Sequence, residues 1–369
     1  MKFDIDYERG ITNRGNQYRL KELMKRARKG EKIVVGFLGG SITQGCASTT
    51  PQKCYAYHVY EWWKEKFPKS EIKYVNAGIG GTSSQFGVAR ADDDLLSYNP
   101  DFVITEFSVN DTSTDHFMET YEGLIRKVFT YKTNPAVVIV HNVYYDSGSN
   151  AQRVHARVGR HYDIPCVSMQ STIYPEILSG KIENRTITGD DLHPNDEGHA
   201  LVASVITYFL DRVYENMDEA EDKPELPEPF TDNSYEKSVR YRNMDIEPVS
   251  NGFTVDNEEQ TDITDCFKKG WYAKENGSTF ECSIEGTGIS LQYRRYAFKS
   301  APKARVVIDN EDEKAVVLDG KFDQDWGDNL ELTTITEKMD NKTHNIKITI
   351  EDADGCEAPF YLVSVIVTK

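Results

Sequence analysis

Ser41, Gly81, Asn110, Asp190 and His193 lie far apart in the chain, yet their types make a complete set for acyl transfer. A serine hydroxyl is a weak nucleophile until an adjacent base takes its proton. His193 can be that base. The imidazole must then be held in one tautomer and its cation stabilised, which is work for a carboxylate. Asp190 stands three residues before His193 in "GDDLHPN" (189–195), so one turn of chain can aim it at the ring; Asp191 is the alternative. The charge that develops on the substrate oxygen needs fixed donors. The N–H groups of Ser41 and Gly81 and the side-chain amide of Asn110 can supply them. A glycine at 81 also lets the backbone approach the tetrahedral centre with no Cβ in the way.

Other readings of the same stretches are weaker. "GFLGGSITQG" (36–45) has the glycines of a phosphate cradle, but no lysine follows Gly45, as that motif requires. "GIGGTS" (78–83) carries Ser83 where a dinucleotide loop would place its third glycine. His58, His141, His155 and His161 sit in or beside helix and strand patterns and read as structural, as does His199 inside the last helix. Asp92, Asp93 and Asp94 are adjacent on a helix, where neighbours diverge by about 100°, so they read as a solvated face and not as a metal site. The six cysteines (46, 54, 166, 266, 282 and 356) form no CxxC pair, which argues against zinc and thioredoxin-like chemistry. They are expected to be buried free thiols. Cys46, near Ser41 but without a paired imidazole, reads as packed.

The elements that must hold these residues can be read from apolar patterning. Strands are expected at 33–38, 72–78, 101–107, 136–142 and 164–169, and helices at 55–67, 86–98, 117–129, 150–162 and 195–213. Alternating strands and helices, with strands apolar almost throughout, predict a parallel sheet covered on both faces. This is a flavodoxin-like three-layer α/β fold, and ligands bind outside the carboxyl ends of its strands. Ser41, Gly81 and Asn110 all fall in loops that follow strands. Residues 1–30 read as an arm ending in a basic helix capped by Gly30, and 31–214 as the catalytic domain. Residues 215–233 are acidic and rich in proline, and predict a semi-extended, solvated linker. From 234 to 369 short β-rich runs recur at the spacing of a β-sandwich of jelly-roll type.

Length and charge restrict the partners. A chain of 369 residues suggests two domains. Its net charge of -17 argues against nucleic acid, which calls for a basic footprint, and disfavours polyanionic substrates; a neutral substrate fits best. No run of about 18 apolar residues suggests a membrane span. The polar start, "MKFDIDYERG", has no apolar signal region, so a cytoplasmic location is expected. The oligomeric state is not set by the sequence, and a homodimer is one arrangement open to it.

Four blocks, "GGSIT" (39–43), "NAGIGGTSS" (76–84), "FSVND" (107–111) and "DDLHPN" (190–195), carry Ser, Gly, Asn and His in that order. In this the chain resembles the SGNH, or GDSL-type, esterases and acylhydrolases over residues 31 to 213. It departs from the usual spelling at Gly40, where that family has Asp, at Ile42, where it has Leu, and at Ser108-Val109, where Gly-Gly is commoner. None of these changes removes a catalytic group. With the β-rich second half, the layout resembles the carbohydrate esterase family 17 mannan acetylesterases, followed by a domain like a family 35 carbohydrate-binding module. The resemblance implies removal of O-acetyl groups, especially 2-O-acetyl on mannosyl units of an acetylated neutral oligosaccharide. It implies a catalytic set of Ser41, His193 and Asp190, an oxyanion hole of Ser41, Gly81 and Asn110, and no cofactor or catalytic metal. Acetylxylan or another ester is the rival substrate. A glycan-binding protein with a degenerate hydrolase domain is the rival class, opposed by the four intact blocks.

Aromatic residues are candidates for stacking on sugar rings. Tyr144 and Tyr145 follow the fourth strand on the ligand-facing edge. Trp326, in the polar loop "KFDQDWGDN", is either a sugar platform or an interdomain contact. Trp62 and Trp63 lie in a helix, where at least one is expected in the core, and Trp271 reads as packing.

Overall fold

β2 (Ile33–Gly39) is apolar at nearly every position because both faces are covered. Ile33, Val35 and Phe37 point to one side and are fully buried, each stabilising the fold by about 2 kcal/mol. The computed structural model describes residues 3–369; Met1 and Lys2, the first two positions of the expected arm, lie outside the described residues.

The first unit runs to Glu236. Its elements follow in order as β1 (Ile11–Asn13), α1 (Tyr18–Arg28), β2, α2 (Ser41–Gln44), α3 (Tyr55–Lys66), β3 (Ile72–Gly78), α4 (Ser84–Asp94), β4 (Phe102–Glu106), α5 (Asp115–Phe129), β5 (Ala136–His141), α6 (Gln152–His161), β6 (Cys166–Ser168), α7 (Met169–Leu178), α8 (Asn184–Ile187) and α9 (Asp196–Glu215). The sheet order is β1-β6-β5-β4-β2-β3. All pairs are parallel except the edge strand β1, which runs antiparallel to β6. Without β1 this is the flavodoxin strand order, whose direction of progression reverses beside β2. Helices α1, α3, α7 and α9 cover one face, and α4, α5 and α6 the other. Trp63 is fully buried in the core between α3 and the sheet, at 5.3 Å from Phe102. Trp62 is also buried and donates its indole N–H to Asp211, so both helical tryptophans are core residues.

Three features go beyond the sequence reading. The arm is no appendage: Ile5, Tyr7, Leu20, Leu23 and Met24 join the core formed by β2, α3 and α9. Helix α7 was not anticipated, because Ser171, Thr172 and an internal Pro175 weaken its pattern; it is held by the burial of Met169 and Ile173. The acidic stretch after α9 is extended and mostly exposed, yet it is tied to the first unit. Asp218 pairs with Arg28 and Glu221 with Lys21, and just beyond the stretch Glu236 pairs with Arg126. The fully buried carboxylate of Glu122 accepts the N–H groups of Phe230 and Thr231. A proline-rich strap cannot satisfy its own backbone in a helix, so it borrows acceptors and cations from α1 and α5. Composition reveals the strap's charges but not their partners.

The second unit begins at Lys237. Its strands are β7 (Val239–Tyr241), β8 (Val249–Asn251), β9 (Thr254–Val255), β10 (Trp271–Ala273), β11 (Thr279–Gly286), β12 (Gly288–Arg295), β13 (Lys303–Ile308), β14 (Val316–Asp319), β15 (Asn329–Thr336), β16 (Lys342–Glu351) and β17 (Phe360–Thr368). They form two antiparallel sheets, β15-β12-β17-β10-β9, with β7 also on β17, and β14-β13-β16-β11-β8. Alternation along β16 sends Ile346, Ile348 and Ile350 inward. They meet Trp271, Phe280, Leu291 and Phe360 in one core.

Candidate active site

The carboxyl ends of β2, β3 and β4 bring three of the four blocks together. Ser41 begins α2 directly after β2 and is almost buried. Its hydroxyl lies 2.9 Å from His193 Nε2. On the other side of the ring, His193 Nδ1 is 2.6 Å from Asp190 Oδ2. With Nδ1–H donating to the carboxylate, Nε2 is left as the acceptor for the serine proton. Asp190 Oδ1 also accepts the N–H groups of His193 at 2.7 Å and Leu192 at 3.1 Å, so the loop is wrapped around its own carboxylate. Burial acts to raise the Asp190 pKa, but these hydrogen bonds outweigh it and hold it below the usual carboxylate value. Asp191 faces elsewhere, with its carboxylate on Arg185 and Asn184, which removes it as the alternative partner of His193.

The glycine loop after β3 approaches the same point. A Cβ placed on Gly80 would lie 3.6 Å from Ser41 Cβ. Gly81 has φ +70°, a left-handed conformation that side chains rarely adopt. The loop is held by groups that the sequence reading missed. Gln44, one turn after Ser41, accepts the Gly80 N–H at 2.7 Å, and Asn76 bridges Thr43 O and the Gly78 N–H. Gln44 could have been found, because a residue three positions after a helical Ser41 shares its face.

Asn110 comes from the turn after β4 and packs against Gly40. A Cβ on Gly40 would fall 2.1 Å from Asn110 Oδ1 but 3.4 Å from Nδ2. The amide therefore seats its oxygen against Gly40 and leaves its N–H₂ end further out. Beneath this turn lies a second group that the sequence did not flag. Glu106, the last residue of β4, is fully buried. Its backbone carbonyl accepts the Gly40 N–H, and its Oε1 accepts the N–H and hydroxyl of Ser108. Burial pushes its carboxyl up to about 7, against the hydrogen bonds from Ser108.

That shift has a sign that can be tested. From about pH 4.5 to about 7 the folded chain keeps a proton on Glu106 that the unfolded chain has lost. The associated stability is complete below the unfolded value and disappears as pH rises through the folded one. His199, lowered by burial to about 4, and His141, also lowered by burial, contribute in the opposite sense. Comparing Glu106→Gln with the parent cancels the histidines. The variant should gain on the parent by roughly 3 kcal/mol across this interval, read as a growing difference in unfolding midpoint; a difference that does not change with pH would mean that Glu106 is ionised in the fold.

The aromatic candidates divide. Tyr145 is 2% exposed and sits in the core, so it cannot line the cleft as expected; its N–H on Asp191 O turns its side chain inward. Tyr144 is half-buried, and the pKa of its hydroxyl is raised by burial, by Asp146 and by the charge of Asp190; the bond from the next residue's N–H, that of Tyr145, to Asp191 O ties this segment to the loop of Asp190 and His193. In the second unit Trp326 is 60% exposed and edge-on to Phe322 at 5.1 Å, while Trp271 is buried against Phe280. All six cysteines are free; Cys54, Cys166 and Cys282 are buried, but Cys46, Cys266 and Cys356 are only half-buried. Asp92 is exposed and pairs with Lys127, and Asp94 with Arg90. Among the described residues no cluster of His, Cys, Asp and Glu is arranged to hold a metal ion.

The profile of the GDSL-like lipase/acylhydrolase family matches residues 37–201, a span that takes in all four blocks. A two-domain esterase active on acetylated mannans, crystallised with mannopentaose, is 58% identical, with 100% of this chain and 99% of that one covered and a TM-score of 0.96. This chain belongs to the GDSL-like lipase/acylhydrolase family. It is a carboxylic ester hydrolase. A second crystal structure of a two-domain esterase active on acetylated mannans gives 58% identity, 99% coverage of both chains and a TM-score of 0.97. An acetylxylan esterase of Geobacillus stearothermophilus is 23% identical over 205 residues, 47% of this chain and 91% of that protein. The likeness to the two-domain esterase runs through both units, whereas the acetylxylan esterase aligns with only about half of the chain.

Proposed function

We propose that this esterase removes O-acetyl groups from mannan-type oligosaccharides. The observation that carries the reading is full-length similarity, at 58% identity, to an esterase active on acetylated mannans. Ser41 Oγ attacks the acetyl carbonyl while His193 Nε2 takes its proton, and Asp190 stabilises the imidazolium. The oxyanion is received by the Ser41 and Gly81 N–H groups and the Asn110 amide. His193 returns its proton to the departing sugar hydroxyl, leaving acetyl-Ser41. Water then attacks this ester while His193 takes its proton, and the imidazolium returns that proton to Ser41 Oγ as the acetyl group departs as acetic acid. The second unit acts as a carbohydrate-binding module, and Trp326 offers its exposed ring as a platform for a sugar.

Two measurements test this. Mass spectrometry after incubation should show acetyl loss from acetylated manno-oligosaccharides in preference to xylo-oligosaccharides; preference for the xylose series would sink the substrate assignment. Trp326→Ala should lower kcat/KM for the oligosaccharide by roughly tenfold, the loss of about 1.4 kcal/mol of binding, and leave a small acetate ester unaffected. Equal effects on both substrates, or none, would remove Trp326 as a platform.

A further inference from the structure

The two loops that carry Gly81 and Asn110 are joined by one buried carboxylate. Asp111 directly follows Asn110, and its side chain is wholly buried. Its Oδ1 accepts the Ser84 N–H at 2.9 Å. Ser84 is the first residue of α4 and lies three positions beyond Gly81. The N-cap residue of that helix, Ser83, makes no side-chain cap. Asp111 thus caps α4 from another loop, placing a negative charge where unpaired N–H groups and the helix dipole favour one. Its Oδ2 meets His155 Nε2 at 2.9 Å, with both side chains fully buried. The His155 ring is in turn fixed: it stacks on Tyr121 at 3.7 Å and 8°, and the Tyr121 hydroxyl bonds Thr105 on β4. The turn itself is closed by the N–H groups of Asn110 and Asp111 on Phe107 O.

We propose that Asp111, held by His155, is a positioning residue that fixes the Gly81 and Asn110 donors relative to each other. An oxyanion hole needs its donors at one separation, set before the charge develops, because reorganisation during the reaction forfeits the stabilisation. Here the donors come from loops after different strands, β3 and β4. Asp111 is bonded into both, and the His155 ring opposes its rotation. The neighbouring groups do not duplicate this link: Gln44 ties the Gly80 loop to α2, and Glu106 ties the Asn110 turn to β4. The inference rests on the reading of Gly81 and Asn110 as oxyanion donors.

The experiment is a double-mutant cycle on a chromogenic acetate ester. Asn110→Ala tests the donor reading alone and should lower kcat by 10²-fold or more, on the scale of one lost donor. Asp111→Ala should lower kcat by roughly tenfold to a hundredfold with little change in KM. Asp111→Asn should retain most of the activity, because an amide still accepts from Ser84 and can donate to the other tautomer of His155. The double variant Asp111→Ala, Asn110→Ala should lose clearly less than the product of the two single losses, since the part of the Asp111 role that acts through Asn110 has nothing left to position. Multiplying losses, or a folded Asp111→Ala with the parent kcat beside a damaged Asn110→Ala, would overturn the proposal. A harmless Asn110→Ala would overturn the donor reading and the proposal with it. Should Asp111→Ala not fold, His155→Gln in the same cycle carries the test, with circular dichroism as the check on folding.

Discussion

Ser41→Ala should lower kcat on an acetate ester by on the order of 10⁵- to 10⁶-fold, with little change in substrate binding. The serine is almost buried, and its hydroxyl is bonded to His193. Cys46 is no substitute: burial, with the charge of Asp190 adding to it, raises its thiol pKa, which suppresses the reactive thiolate. His193→Ala should cost as much as Ser41→Ala, and the double variant no more than either, because the two residues act as one proton-transfer unit. Asp190→Asn should cost less. The Asp190 side chain is 54% exposed, so water can in part replace it in orienting the ring. The measurement is kcat by stopped assay, with active-site titration to exclude traces of parent enzyme. A Ser41→Ala variant retaining even a tenth of parental kcat would remove Ser41 as the nucleophile.

The candidate set was legible in the sequence because the chemistry restricts residue types severely. Ser, His and a nearby carboxylate announce themselves, and parallel strands of near-continuous Val, Ile and Phe announce the sheet that aligns them. The residues left unread share a different property: their roles depend on three-dimensional proximity between loops with no sequence relation. Glu106 reads as the end of a strand, and nothing in "VITEF" shows that its carboxylate has no route to water. Tyr145 reads as a loop tyrosine on the ligand-facing edge, but the bond from its N–H to Asp191 O directs it inward. Asp111 and His155 are 44 positions apart in the chain, and each alone resembles an ordinary surface or core residue. The contacts of the strap after α9 were unreadable for the same reason: Asp218 and Glu221 show no partner until α1 is placed beside them.

Gly40→Ala should lower kcat by on the order of 10²- to 10³-fold, while the protein remains folded. Position 40 is where the usual GDSL spelling has aspartate, so a side chain there is not foreign to the family. In this chain the backbone at Gly40 has φ -88° and ψ -148°, just beyond the extended region that alanine prefers, so the substitution adds some backbone strain. The greater obstacle is Asn110. A new Cβ would lie 2.1 Å from its Oδ1 and 3.0 Å from its Cγ, and a side-chain amide can give way where a backbone cannot. Asn110 would rotate off Gly40, and its N–H₂ would leave the place where the oxyanion forms. The energy lost is that of one preorganised donor, about 3–4 kcal/mol in the transition state, with KM little changed because the ground-state carbonyl carries less charge. Gly39→Ala is the contrasting control. There a Cβ would strike the backbone oxygen of Glu106 at 2.5 Å as well as Thr43 Oγ1 at 2.2 Å, so the damage should fall first on stability, read as a lowered unfolding midpoint. If Gly40→Ala instead keeps parental kcat, Asn110 does not act from its seat against Gly40, and the oxyanion must be held by the Ser41 and Gly81 N–H groups alone.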